Sequence, residues 1–116
     1  MKVAFFTEMG FEGKISRTHT NMRTEFAWMC KLDADHYNLQ TKPTEHYDLG
    51  IIINSKKHPE WVDVKNLKKY CDKVAVMQEG PFWLFQDYEL KNQILYYNNI
   101  MEADIIYTSK QIQFSY

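Results

Sequence analysis

The sequence lacks three features that would assign a class of function at once: a basic excess, a long apolar run and a closely spaced cysteine pair. Its 14 lysines and arginines against 15 aspartates and glutamates give a net charge of −1, whereas a nucleic-acid-binding domain normally carries a clear basic excess. No apolar run approaches the roughly 20 residues of a membrane span. Cys30 and Cys71 form no CxxC pair, so we expect both to be reduced and buried.

The N-terminal stretch also lacks the marks of a secretory signal. MKVAFFTEMG has one lysine and a short apolar run, without the longer apolar region and small-residue cleavage site of a signal peptide. We therefore expect it to form the first β-strand of a cytoplasmic protein that does not enter a membrane.

Motifs for metal, dinucleotide and hydrolytic chemistry are missing as well. The four histidines have no HxxxH or HExxH spacing, which predicts no metal site, and no GxSxG elbow indicates a nucleophilic serine. The loop after the first strand contains GxxG, at Gly10 and Gly13, rather than the GxGxxG of dinucleotide-binding proteins. We expect no cofactor.

What the sequence does contain is a regular alternation of apolar runs and helical patterns within one domain, residues 1–116. The runs predict strands at 2–6, 34–40, 47–54, 73–79 and 104–110. Apolar spacing and capping residues predict helices at 21–32, at 55–71 with Pro59 in its first turn, and from an Asp87 cap through Ala103. In the last helix, four apolar residues share one face: Leu90, Ile94, Tyr97 and Met101.

This order predicts an α/β fold, a Rossmann-like three-layer domain with a mostly parallel sheet of about five strands. In such folds ligands bind beyond the carboxyl ends of the strands. Three segments lie there: Thr7–Arg23, Asn54–His58 and Gln78–Tyr88. In the first, Lys14, Arg17 and Arg23 are candidates to face an anion; the alternative is a surface loop with solvated charges.

The segment VAVMQEGPFWLFQDY gives the most specific candidates. Glu79 lies at the C-terminal end of a predicted strand, where partial burial would raise its pKa and suit it to general base work. Gln78 and Gly80 flank it, and Trp83 could stack against a sugar ring or a base. The alternatives are a turn glutamate that is solvated and aromatic side chains that cover the sheet edge.

Over nearly the whole chain the sequence resembles the N-terminal half of GT-B-fold glycosyltransferases, especially those of tailed bacteriophages. The likeness rests on the order of elements and on the runs NMRTEFAWMCKLDADHY and MQEGPFWLFQDY. In that family two Rossmann-like domains face each other across a cleft; the N-terminal domain mainly binds the acceptor, and the C-terminal domain mainly binds the nucleotide sugar.

The resemblance implies roles for individual residues. Gly10 and Gly13 match a loop that approaches the donor phosphate across the cleft. Glu79 matches a position that often carries a catalytic or acceptor-contacting residue. Ser109, after the last strand, would also face the cleft.

The sequence contains no counterpart of the donor-binding domain, so the resemblance predicts a glycosyltransferase domain that needs a donor-binding domain or subunit for activity. The alternative is a non-catalytic Rossmann-like binding or assembly protein of a phage. An exposed aromatic cleft without a partner domain would also favour a homo-oligomer.

Overall fold

The computed structural model describes residues 1–10, 12–14, 24–55, 58–78 and 89–107. Five strands form one sheet: β1 (Val3–Thr7), β2 (Asp35–Asn38), β3 (Tyr47–Asn54), β4 (Cys71–Gln78) and β5 (Ile105–Tyr107). Within these described ranges three α-helices accompany them: α1 (Thr24–Leu32), α2 (Val64–Leu67) and α3 (Leu90–Glu102). A 3-10 turn, Pro59–Trp61, precedes α2.

The strands follow the order β2-β1-β3-β4-β5, and all four neighbouring pairs are parallel. The predicted α/β fold with a parallel sheet of about five strands is therefore confirmed. Parallel strands need crossover connections that cover the faces of the sheet. Here α1 covers one face and α2 and α3 cover the other, which gives the three layers of a Rossmann-like domain.

The two faces of the sheet hold two apolar clusters. Met29 of α1 packs on Val3, Phe5 and Ile51 on one face. On the other face, side chains from the strands meet Val64 and Leu67 of α2; the strand members are Ala4, Phe6, Tyr37, Tyr47, Ile52, Cys71, Val74 and Val76. The central strands β1 and β3 are apolar on both sides because both faces are covered.

The helix predicted over residues 55–71 is wrong. The chain forms the 3-10 turn at Pro59–Trp61 and then passes through Val62, whose backbone is extended. Asp63 starts α2 afresh by accepting a hydrogen bond from the backbone N–H of Asn66 at 3.1 Å, which is the usual work of an N-cap aspartate. Cys71, placed in that helix by its spacing, is the first residue of β4.

Helix α3 turns its apolar stripe away from the sheet. The side chain buried against the core is Tyr96, with Ile100 partly buried beside it. The four stripe residues are exposed instead: Leu90 by 70%, Ile94 by 51%, Tyr97 by 40% and Met101 by 80%. The helix is therefore apolar on two sides. The face predicted from apolar spacing is the exposed one, and the face that contacts the sheet was not predicted.

Edge strand β5 is also apolar and exposed. Its three residues, Ile105, Ile106 and Tyr107, are all exposed. The Tyr107 ring makes an edge-to-face contact with Trp28 of α1, with ring centroids 5.3 Å apart. We call the exposed residues of α3 and β5 the α3–β5 face.

Candidate functional site at the carboxyl edge of the sheet

The strand order creates a switch point between β1 and β3. From β1 the chain crosses to β2 on one side, and from β3 it crosses to β4 on the other side. The two connections therefore leave the sheet in opposite directions from this point, where a doubly wound fold has its crevice, beyond the carboxyl ends of the strands. Ligands of doubly wound folds bind in this crevice.

A carboxylate and a hydroxyl meet across this switch point. Glu8 directly follows β1, Ser55 directly follows β3, and the Ser55 hydroxyl donates a hydrogen bond of 2.8 Å to Oε2 of Glu8. Ser55 is almost fully buried, whereas Glu8 is exposed. The Ser55 oxygen also accepts the backbone N–H of His58 at 2.9 Å. A buried hydroxyl thus holds an exposed carboxylate in one place, where its oxygens can accept hydrogen bonds from a ligand.

A buried polar pair fixes the end of β1 beneath Glu8. The Thr7 hydroxyl and Nε2 of His36 lie 2.6 Å apart, and both side chains are buried. The same hydroxyl accepts the backbone N–H of Met9 at 3.1 Å. These contacts join β1 to β2 and set the direction in which the chain leaves β1 at Glu8.

Asn38 at the end of β2 positions the two neighbouring loops. Its side-chain N–H donates to the Met9 carbonyl at 3.0 Å, and its side-chain oxygen accepts the Gln40 N–H at 2.9 Å. Gly10, predicted to contact substrate, directly follows Met9 and has open space around it. The structure therefore places Gly10 at the carboxyl edge of the sheet.

Asn54 at the end of β3 ties the edge to α3. It is fully buried, and its side-chain N–H donates to the Tyr96 carbonyl at 3.1 Å. Asn99 of α3 donates to the side-chain oxygen of Asn54 at 3.4 Å and to the Pro59 carbonyl at 3.2 Å. The position of Ser55, one residue after Asn54, is therefore fixed from the α3 side of the sheet.

Gly13 and Lys14 lie away from the Glu8–Ser55 pair. Gly13 has a positive φ of 90°, a conformation that glycine adopts easily because it has no Cβ atom. It exchanges two backbone hydrogen bonds of 2.9 Å with His36 along the outer edge of β2. The Lys14 ammonium lies 3.4 Å from Asp33 and 3.2 Å from Asp35, at the amino end of β2.

Two neighbouring carboxylates determine the direction in which the pKa of Lys14 is shifted. Burial alone would lower the pKa of Lys14, but the carboxylates of Asp35 and Asp33 outweigh it and raise that pKa. The ammonium is thus committed to two carboxylates of its own chain.

Most of the other predicted site residues lie outside the described part of the chain: Arg17, Glu79, Gly80, Trp83 and Ser109. Gln78 is the last residue of β4 and pairs in register with Asn54 of β3. The backbone of Gln78 therefore reaches the same edge of the sheet as Ser55. The substrate-binding and catalytic roles of these residues stay predictions.

Sequence reasoning identified the segments that hold Glu8 and Ser55 but not the pair itself. The sequence feature that could have identified these two residues is their position, because each directly follows a strand of a parallel sheet. The missing information was the strand order, which makes β1 and β3 neighbours.

The described residues hold no group of three or more histidines, cysteines, aspartates and glutamates that could bind a metal ion. Within the same ranges, no helix has both the length and the apolar character needed to cross a bilayer. Comparison of the chain with protein-family models, with curated proteins and with solved structures finds no match.

Proposed function

We propose that the chain is the acceptor-side domain of a phage-encoded glycosyltransferase that works in the host cytoplasm with a separate donor-binding domain or subunit. The observation that carries the proposal is the Glu8–Ser55 pair at the switch point. An exposed carboxylate held by a buried hydroxyl is suited to accept a hydrogen bond from an acceptor hydroxyl. The parallel sheet and the sequence resemblance support the same assignment.

The chemistry divides between this chain and its partner. The acceptor oxygen forms a bond to the anomeric carbon of the donor sugar, the bond from that carbon to the nucleotide phosphate breaks, and the acceptor proton passes to a carboxylate. Glu79 is the proposed base for that proton. Glu8 is proposed to orient the acceptor hydroxyl, and the donor-binding partner holds the nucleotide sugar.

The first test asks what the chain does alone. Incubated with a panel of nucleotide sugars and acceptors, it is expected to give neither transfer nor donor hydrolysis. Robust turnover by this chain would contradict the assignment, because no donor-binding site has been identified on it.

The second test asks whether Glu8 contacts the acceptor. Ligand-observed NMR against glycans, nucleosides and hydroxyl-bearing peptides is expected to identify a bound acceptor, and Glu8→Gln is expected to weaken it. The matched control is Glu45→Gln, an exposed glutamate paired with Lys2 at the opposite end of the sheet. Equal loss in both variants, or binding of nucleotide sugars in preference to acceptors, would count against the proposal.

A second candidate function is a non-catalytic assembly protein, and the α3–β5 face favours it. The exposed stripe of α3 has spacings of four, three and four residues, which suit a helix-to-helix seam. Two copies of α3 packed antiparallel would match Leu90 with Met101 and Ile94 with Tyr97 across a two-fold axis. Lys91 near one end of the stripe would approach Glu102 near the other end of the second helix.

The molecular mass of the protein in solution distinguishes the two candidate functions. The assembly function predicts a dimer that Ile94→Glu dissociates, whereas Asn98→Glu, which adds the same charge beside the stripe, leaves it intact. A monomer at high protein concentration would remove this candidate.

A further inference from the structure

A second site lies on the α2 side of the sheet and is separate from the Glu8–Ser55 pair. It is a cavity of about 310 Å³ between the loop that follows β2, residues 39–43, and the segment at residues 60–67. The cavity exists because of how the chain connects β2 to β3. The connection from β2 to β3, residues 39–46, is described throughout and contains no helix, so the space that a crossover helix fills in most doubly wound sheets stays open.

The wall on the β3 side presents an aromatic ring in a fixed orientation. Trp61 lines the cavity and is partly exposed. One face of its ring is stacked on His58, with ring centroids 3.9 Å apart and an interplanar angle of 8°. His58 is itself held, because its backbone N–H donates to Ser55. The Trp61 ring, which lines the cavity, is therefore held in one orientation by its stack on His58.

The rest of the lining is polar and varied. Glu60 and Asp63 contribute carboxylates beside Trp61, while Gln40, Thr41 and Lys42 of the loop after β2 contribute an amide, a hydroxyl and an ammonium. The Thr41 hydroxyl donates to Glu12 at 3.0 Å, so it serves here as an acceptor. Together these side chains offer hydrogen-bond donors and acceptors. Two carboxylates against one ammonium leave the lining with a negative balance, which disfavours phosphates and other anions.

We propose that this cavity is a carbohydrate-binding site that takes an uncharged sugar ring of the acceptor. A sugar ring has an apolar face of C–H groups, which fits the Trp61 ring, and a rim of hydroxyls that both donate and accept hydrogen bonds. The volume is at the lower end of small-molecule sites, about 300–1,000 Å³, so it suits one or two sugar rings rather than a whole nucleotide sugar.

The proposal rests on the proposed function, because it names a glycan as the acceptor. It also has a structural link to that function. Ser55, which donates to Glu8 at the switch point, also accepts the backbone N–H of His58. The His58 ring is in turn stacked on Trp61, which lines the cavity.

The experiment is an NMR titration of the whole chain with methyl glycosides of glucose, galactose, mannose and N-acetylglucosamine, up to tens of millimolar. The expected result is a shift of the Trp61 indole resonance with at least one glycoside. Trp61→Ala should weaken that affinity about tenfold through loss of the aromatic contact. The matched control is Trp28→Ala, which removes an exposed tryptophan from α1 and should leave the affinity unchanged.

Two conservative variants test the polar lining without removing Trp61. Glu60→Gln and Asp63→Asn each remove a charge, and asparagine also serves as an N-cap for α2. Each should lower affinity for the glycoside several-fold while the melting temperature stays the same.

Three outcomes would overturn the inference: no glycoside perturbs the Trp61 resonance, Trp28→Ala weakens binding as much as Trp61→Ala, or inorganic phosphate binds the cavity more tightly than any glycoside. The proposed function can fail separately. Glycoside binding that requires Trp61, combined with no acceptor whose affinity falls on Glu8→Gln, would keep the sugar site and remove the role of Glu8.

Discussion

Gly50 in β3 lies so close to Cys71 in β4 that a Cβ atom at Gly50 would stand 2.7 Å from the Cys71 sulfur. The same Cβ would lie 3.2 Å from Cε2 of Phe6. Real Cβ atoms do not approach other atoms to 2.7 Å, so the cysteine and the aromatic ring must shift if a methyl group is added. Gly50 is therefore required by packing between two central strands and the core above them.

The first prediction is that Gly50→Ala lowers the free energy of unfolding by about 1–3 kcal/mol through overpacking. Denaturant melts measure this. Gly10→Ala is the control, because no atom lies within 4 Å of a Cβ built at Gly10, and its effect should stay within about 0.5 kcal/mol. Equal effects of the two substitutions would contradict the close contact with Cys71.

A second prediction concerns the centre of β3. Ile52 is fully buried and pairs in register with Phe6 and Val76. Ile52→Ala should cost about 2–5 kcal/mol through lost burial and a cavity. Ile106→Ala, on the exposed edge strand, removes the same atoms and should cost far less. A loss below about 0.5 kcal/mol for Ile52→Ala would mean that β3 is peripheral.

The third prediction is a pH dependence that arises from Asp35. Burial would raise the pKa of Asp35, but hydrogen bonds from Tyr47, at 2.7 Å, and from Lys14 outweigh it and lower that pKa. A lowered folded-state pKa gives stability that is present above the unfolded value of about 3.9. This stability is lost as the pH falls through the folded value.

The wild type should therefore be more stable than Asp35→Asn at neutral pH, and the difference should shrink below about pH 4. Urea melts at a series of pH values measure it. Asp33→Asn is the control, since its carboxylate is 91% exposed and touches the same lysine. A difference that does not change with pH would show that Asp35 acts through shape rather than charge.

A fourth prediction separates the two thiols. Burial, with the negative charge of Asp72, raises the pKa of Cys71 to about 11. Because the thiolate is the reactive form, Cys71 should resist thiol reagents in the native protein, whereas the half-buried Cys30 should react first. Native Cys30→Ser should be almost inert until denaturant is added; fast modification of that variant would place Cys71 at the surface.

The fifth prediction tests the sequence-derived candidates Glu79 and Trp83. As binding residues, each should leave the melting curve nearly unchanged when replaced by alanine, and each should weaken acceptor binding. For Trp83 the loss would be about 1–3 kcal/mol if the acceptor is a base. Glu89→Ala, at the start of α3 without a side-chain cap, is the control. Unfolding by Trp83→Ala would make this tryptophan part of the core.

The strands were predictable because a strand covered on both faces is a continuous apolar run. Tyr47–Asn54 was predicted with the bounds that the structure shows. The region from residue 55 to 71 was not, because its apolar residues have helical spacing, and the break depends on the cap at Asp63 and on the extended backbone of Val62. In α3, spacing identified an apolar face but not which side contacts the sheet.

For the candidate site, the sequence predicted which loops would contribute residues but not which residues would meet. Glu8 and Ser55 are 47 residues apart in sequence, and nothing local joins them. Their contact follows from the insertion of β1 between β2 and β3, which is decided by the packing of the whole sheet. The cavity at Trp61 was missed for a similar reason, since it arises from the absence of a helix between β2 and β3.

The position of β1 also has a consequence for the order of folding during synthesis. Of the five strands, β1 leaves the ribosome first, and it is an interior strand that pairs with β2 on one side and β3 on the other. At about 5–20 residues per second, β3 follows β1 by several seconds. Until then one edge of β1 has no neighbour, and Phe5 and Phe6 are exposed to other chains. Pairing on both sides of β1 therefore waits for residue 54, and during this interval the nascent chain needs protection from aggregation.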